Sequence, residues 1–227
     1  MRREAVIAVT GASRGIGATI ALELARRGFT VACLTRNGTG PEVAIPSELS
    51  ARFVNARCDV TDEASIKQAL AEIAAKAGAI HGLVNNAGIH LDGPSDKLPL
   101  DIYNQVMATN ATAVFAACRE VFPHLTKAGG GIIINMATSA AMRWDMAGYG
   151  AYGAVKQAIR DVAKRPAPVA AIKAQARAMV AGMKWEELTP NDYLRAEAKA
   201  LRREVHLVLK QVSHDYERMQ YNTVVSG

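Results

Sequence analysis

The chain has 227 residues, half of them hydrophobic and 21% charged, with a formal net charge of +6. That length suits one α/β domain, or a domain of about 150 residues with a helical appendage, and the composition supports a sizeable core and excludes global disorder. No stretch approaches the ~20 apolar residues of a membrane span, the apolar run after Arg2-Arg3 is too short for a secretory signal, and the scattered Cys33, Cys58 and Cys118 form no CxxC, so the expectation is a cytoplasmic protein with reduced thiols.

Residues 5–10, AVIAVT, read as a buried parallel strand ending at Gly11. Residues 15–27 show helical spacing through Ile16, Ile20 and Leu24, and Gly28 closes that helix. Residues 30–34 form a second strand. Residues 38–50 are rich in Gly, Pro and Ser and give no periodic signal. A weaker third strand covers 52–56. Thr61 is expected to cap a helix that carries Asp62 and Glu63 in its first turn, where the helix dipole favours negative charge, and that runs to about Lys76. Residues 80–84 are a fourth strand. One long helix is expected over 101–127, then a Gly129-Gly130-Gly131 break and a fifth strand over 132–136. Strands alternating with helices predict an α/β Rossmann-type doubly wound parallel sheet of about five strands.

The loop Thr10-Gly11-Ala12-Ser13-Arg14-Gly15-Ile16-Gly17 lies between a strand and a helix. Its glycines allow a tight turn and close approach to a pyrophosphate, and the helix N-terminus offers N–H groups and a favourable dipole. The bare alternative is a tight turn without a ligand. The second strand ends at Leu34-Thr35-Arg36-Asn37, with no acidic residue to hold a ribose 2′-hydroxyl. Arg36, with Arg14, suits a 2′-phosphate instead, so NADP(H) is expected over NAD(H). The alternative for Arg36 is an exposed arginine that ends a strand.

Taken with Asp59-Val60, Asn85-Asn86-Ala87-Gly88, Asn110, Ser139 and Tyr152-x-x-x-Lys156, this loop makes residues 4–160 resemble the short-chain dehydrogenase/reductases. Tyr152 rather than Tyr149 pairs with Lys156, because residues four apart share a helix face. The resemblance implies hydride transfer between a nicotinamide and a carbonyl or alcohol carbon. Ser139, Tyr152, Lys156 and Asn110 would be catalytic. Gly11, Ser13, Arg14, Gly15, Ile16, Gly17, Arg36, Asp59, Val60, Asn86, Ala87, Gly88, Tyr152 and Lys156 would bind the cofactor, with no metal. Asn85 would tie strands together. The resemblance also implies a small-molecule substrate and a homodimer through the long helices.

Pro166 and Pro168 interrupt the helix begun at Tyr152, and the expected later strands of such a domain are not legible beyond it. Residues 1–165 are therefore expected to form a truncated NADP(H)-binding domain, and 166–227 a helical segment. Thr189-Pro190-Asn191-Asp192 is a helix start, followed by an apolar stripe through Leu201, Val205, Val208 and Val212. Residues 184–227 resemble part of the anticodon-binding domain of leucyl-tRNA synthetase, on Leu201-Arg202-Arg203-Glu204, Asp215-Tyr216-Glu217-Arg218 and Tyr221-Asn222-Thr223. Residues 1–156 carry 15 basic and 13 acidic side chains, net +2; residues 157–227 carry 12 and 8, net +4. A basic tail of this kind admits a second reading, a non-catalytic composite that binds RNA or a helical partner, and a third, a chimera with no evolved function.

Overall fold

A computed structural model describes residues 5–91, 93–94, 96–136 and 154–155. The expectations for Ser139, Tyr152, Lys156 and the helical segment 166–227 lie outside the described residues.

Five parallel strands form one sheet in the order β3-β2-β1-β4-β5. They are β1 (Val6–Thr10), β2 (Thr30–Thr35), β3 (Phe53–Arg57), β4 (Gly82–Asn85) and β5 (Ile132–Asn135). The helices are α1 (Gly15–Arg26), α2 (Glu63–Ala77), α3 (Leu100–Met107) and α4 (Ala113–Lys127). Every residue of β1 is buried, as a central strand covered on both faces requires. Its alternate side chains serve two cores. Ile7 and Val9 point to the α1 side, with Ile20, Leu24, Phe29 and Val31. Val6 and Ala8 join the opposite side, with Ile66, Leu70, Ile73 and Val121 of α2 and α4. In register, Val9 pairs with Cys33 on one flank and Val84 on the other.

The strand order reverses beside β1: β2 and β3 run out one way, β4 and β5 the other. In a doubly wound sheet this switch point opens a crevice at the carboxyl ends of the strands. Here it lies between the loops that leave β1 and β4.

Three local expectations need correction. Thr61 does not cap α2. Asp62 does, accepting from Ala64 N at 3.0 Å, while Thr61 turns its hydroxyl to Asp59. The expected single helix over 101–127 is two α-helices joined by a π-helical turn, Ala108–Thr112. Such a turn inserts one residue into the ladder and commonly marks a functional position. Residues 47–52 form a 3₁₀ turn where the sequence carried no signal.

Ala154 and Val155 are helical, and Val155 is wholly buried in a small cluster with Val106 of α3 and Val114 of α4. In sequence it lies between Tyr152 and Lys156.

Candidate cofactor and active site

The site begins with Thr10, the last residue of β1, which is only 3% exposed. Its hydroxyl accepts from Asn86 N and Ala87 N, both at 3.0 Å, and donates to Val84 O at 3.4 Å. One buried hydroxyl thus satisfies backbone groups from the next strand at the crevice. Thr10 was not singled out as a site residue by sequence, though a hydroxyl at the end of an otherwise apolar strand was the signal available.

Asn86 completes the joint. Its Nδ2 donates to Thr10 O at 3.0 Å and Gly11 O at 3.3 Å. This amide binds the glycine loop to the β4 loop. Two glycines are dictated by that closeness. Gly11 has φ +64°, and a Cβ on it would stand 2.9 Å from Ala87 Cα. A Cβ on Gly17 would run into the carbonyl of Gly11 and the side chain of Asn86. Gly11, Ala12, Ser13 and Arg14 form the turn. Gly15, Ile16 and Gly17 are the first residues of α1.

Arg14 occupies the N-cap of α1 but makes no side-chain capping bond, and no acidic residue stands in the first turn. By contrast α2 has Asp62 as cap and Glu63 in its first turn. The amides and positive dipole end of α1 are therefore left without a side-chain counterpart, the condition in which a helix start takes up an anion. A Cβ on Gly15 would meet nothing within 4 Å, so there is room beside this terminus.

Gly88 follows Ala87 and comes close to Asn110: a Cβ on Gly88 would lie 2.7 Å from Asn110 Oδ1. Asn110 is completely buried within the π turn. Its Oδ1 accepts from Ile89 N at 2.9 Å and its Nδ2 donates to Ile89 O at 2.7 Å. The side chain imitates a strand neighbour for Ile89 and fixes the course of the β4 loop. One step earlier, Asn85 Nδ2 donates to Asn135 Oδ1 at 2.8 Å, across paired positions of β4 and β5. Asn85 does tie two strands together.

At the other side of the crevice Arg36 is the first residue past β2 and is exposed, as is Arg14. Asp59 and Val60 follow β3. Val60 is half-buried against the α2 side of the core. Asp59 is exposed, and its carboxyl is held below the usual carboxylate range first by the Thr61 hydroxyl and N–H, at 2.7 and 2.9 Å, then by the charges of Arg36 and Arg57. The described candidates thus follow the carboxyl ends of β1, β2, β3 and β4, with Asn110 bonded to the loop after β4. Ser139, Tyr152 and Lys156 lie outside the described residues. Among the described residues no cluster of His, Cys, Asp or Glu could hold a metal, and no helix is long and apolar enough to cross a membrane.

Comparison with known proteins agrees with this geometry. The short chain dehydrogenase family model matches residues 5–179. D-threitol dehydrogenase of Mycolicibacterium smegmatis is 39% identical over 139 residues, 60% of this chain and 53% of that enzyme. The 3-oxoacyl-(acyl-carrier-protein) reductase of Staphylococcus aureus is 32% identical over 174 residues, 72% of this chain and 71% of that one. The solved structure of 3-ketoacyl-(acyl-carrier-protein) reductase from Brucella melitensis, complexed with NADH, has a TM-score of 0.64 at 26% identity, covering 70% of this chain and 66% of that one. The aligned stretch is therefore about half of the first relative's length and some two thirds of the other two. The family match runs past residue 165, where the sequence suggested a boundary, and ends before 184–227. No finding supports a leucyl-tRNA synthetase-like segment there. From the switch-point crevice and the family match together, this chain belongs to the short-chain dehydrogenase/reductases, a family of NAD(P)(H)-dependent oxidoreductases.

Proposed function

We propose that the chain interconverts a carbonyl and a secondary alcohol with NADP(H), through Ser139, Tyr152, Lys156 and Asn110. The observation that carries this reading is the convergence of the glycine loop, the Asn86–Gly88 wall and buried Asn110 at the switch point, in a chain whose family match extends through Tyr152 and Lys156.

The residues present fit a dinucleotide. The uncapped start of α1 suits a diphosphate held by Gly11, Ser13, Gly15, Ile16 and Gly17. Arg14 and Arg36 are the cations for a 2′-phosphate, Asp59 and Val60 border the adenine, and Asn86, Ala87 and Gly88 line the cleft. When bound, the cofactor supplies or accepts the hydride at the substrate carbon.

The chain's own residues handle the proton. Tyr152 gives a proton to the substrate oxygen in reduction and takes it in oxidation. A free tyrosine has a pKa of about 10, too high for that base at neutral pH. Lys156 follows at the four-residue spacing that would place it beside the tyrosine on a helix, and its cation would favour the phenolate and lower that pKa. Ser139 donates to the same oxygen and fixes its position. Asn110 spends one donor and one acceptor on Ile89, which leaves an N–H and a lone pair for a water relay to solvent.

The relatives suggest which substrates to try: a polyol and a 3-oxoacyl thioester, each presenting the required carbon–oxygen group. With whichever turns over, Tyr152→Phe should lower kcat by at least about 100-fold and leave NADPH affinity unchanged. A variant as fast as its parent contradicts the assignment.

A further inference from the structure

The segment between β2 and the 3₁₀ turn has no regular structure, yet it is tied at both ends. At its start Thr35 O accepts from Gly38 N at 3.1 Å, and Thr35 Oγ1 donates to Thr39 O at 2.9 Å. At its far end Glu42 N donates to Ser13 O at 2.7 Å, so the segment closes onto the glycine loop. Between the two, Gly40 rests on the side chain of Asn55 from β3. A Cβ on Gly40 would stand 3.3 Å from both Nδ2 and Oδ1 of that amide.

Asn55 is an unexpected residue for that seat. Its Oδ1 is buried and has no hydrogen-bond partner among the described residues. Such an oxygen carries a desolvation cost that an alanine would not. What the amide supplies instead is a flat surface on which a backbone without a side chain can lie. Pro41, buried next to Gly40, stiffens the same point, because its ring fixes φ.

The segment also joins two stretches of like charge. Arg36 opens it, and Arg14 follows the Ser13 to which its far end is bonded. Arg36 already acts on its surroundings, since its charge helps to hold Asp59 ionised.

We propose that residues 36–42 are a strut, seated on Asn55, that sets the reach between Arg36 and Arg14 and so lets the crevice distinguish a dinucleotide with a 2′-phosphate from one without. The inference rests on the nucleotide reading of the crevice given above. Gly40 and Asn55 are positioning residues: they act through Arg36. Because both dinucleotides share the diphosphate and nicotinamide, a general defect of folding weakens both alike, whereas a displaced strut weakens only the one that uses the extra phosphate.

The test is a fluorescence titration of the full-length chain with NADPH and with NADH, for the parent, Gly40→Val, and Gly40→Val combined with Asn55→Ala. The valine pushes against the amide; the alanine gives the room back. The strut predicts a parent that prefers NADPH, a loss of about tenfold in NADPH affinity in Gly40→Val with NADH affinity little changed, and recovery of most of that loss in the double variant. An unchanged NADPH-to-NADH ratio in Gly40→Val, an equal loss of both, or no recovery in the double variant overturns the strut. A parent that binds neither dinucleotide is a separate result and overturns the nucleotide reading itself.

Discussion

Asn110 shows how much a single buried amide can hold. Both of its bonds go to Ile89, and the side chain is completely buried. Asn110→Ala would strand a backbone N–H and C=O together. The expected loss is about 2–4 kcal/mol of stability, read as a lower urea midpoint at unchanged slope; a midpoint equal to the parent's would show that Ile89 finds other partners. Asp59 gives a pH signature. Its carboxyl titrates below its unfolded value, so its stabilising contribution is complete above the ordinary pKa of about 3.9 and is lost as pH falls through its lower folded value. Asp59→Asn should therefore be less stable than the parent at pH 7, with the gap closing toward pH 2; a gap independent of pH would contradict the sign. Two of the three thiols are buried, and Cys118 is partly so. Cys33 and Cys58 are pushed up to about 12, and Cys118 is also raised by desolvation. Native protein should leave Cys33 and Cys58 unlabelled by a thiol reagent at pH 8 on the timescale in which unfolded protein reacts completely. Rapid labelling of either would place it nearer the surface.

The elements were legible wherever an apolar period ran uninterrupted. The unbroken apolar run in residues 5–10 and the spacing of Ile20 and Leu24 marked β1 and α1 to within a residue or two. What escaped were features whose cause is not periodic. The π turn at Ala108–Thr112 inserts one residue without changing the apolar character of the helix around it, and the bond that Asn110 makes from it to Ile89 spans 21 positions. The choice of Asp62 over Thr61 as cap turned on a competing use for the threonine: its hydroxyl and N–H both serve Asp59. Asp62→Ala should cost about 1 kcal/mol of stability, and Thr61→Ala should instead raise the pKa of Asp59; the reverse pattern in thermal melts and an NMR titration would restore Thr61 as the cap. The tight turn of the glycine loop and the helix start after it could be read from the pattern. That Asn86 binds the loop to the opposite wall was not readable, because the partners are 75 and 76 positions apart.

At the scale of the molecule, the sheet order 3-2-1-4-5 creates the crevice, and the loops leaving β1 and β4 meet there through Asn86. The roles of Ser139, Tyr152 and Lys156 rest on motif spacing and the family match. Two large apolar side chains stay exposed, Leu100 of α3 at 71% and Phe115 of α4 at 54%. The proposed occupant of the crevice is NADP(H). The most direct test is a fluorescence titration of the purified chain with NADPH, with NADH in parallel. Saturable binding that favours NADPH is the predicted result. Binding of neither dinucleotide would contradict the account.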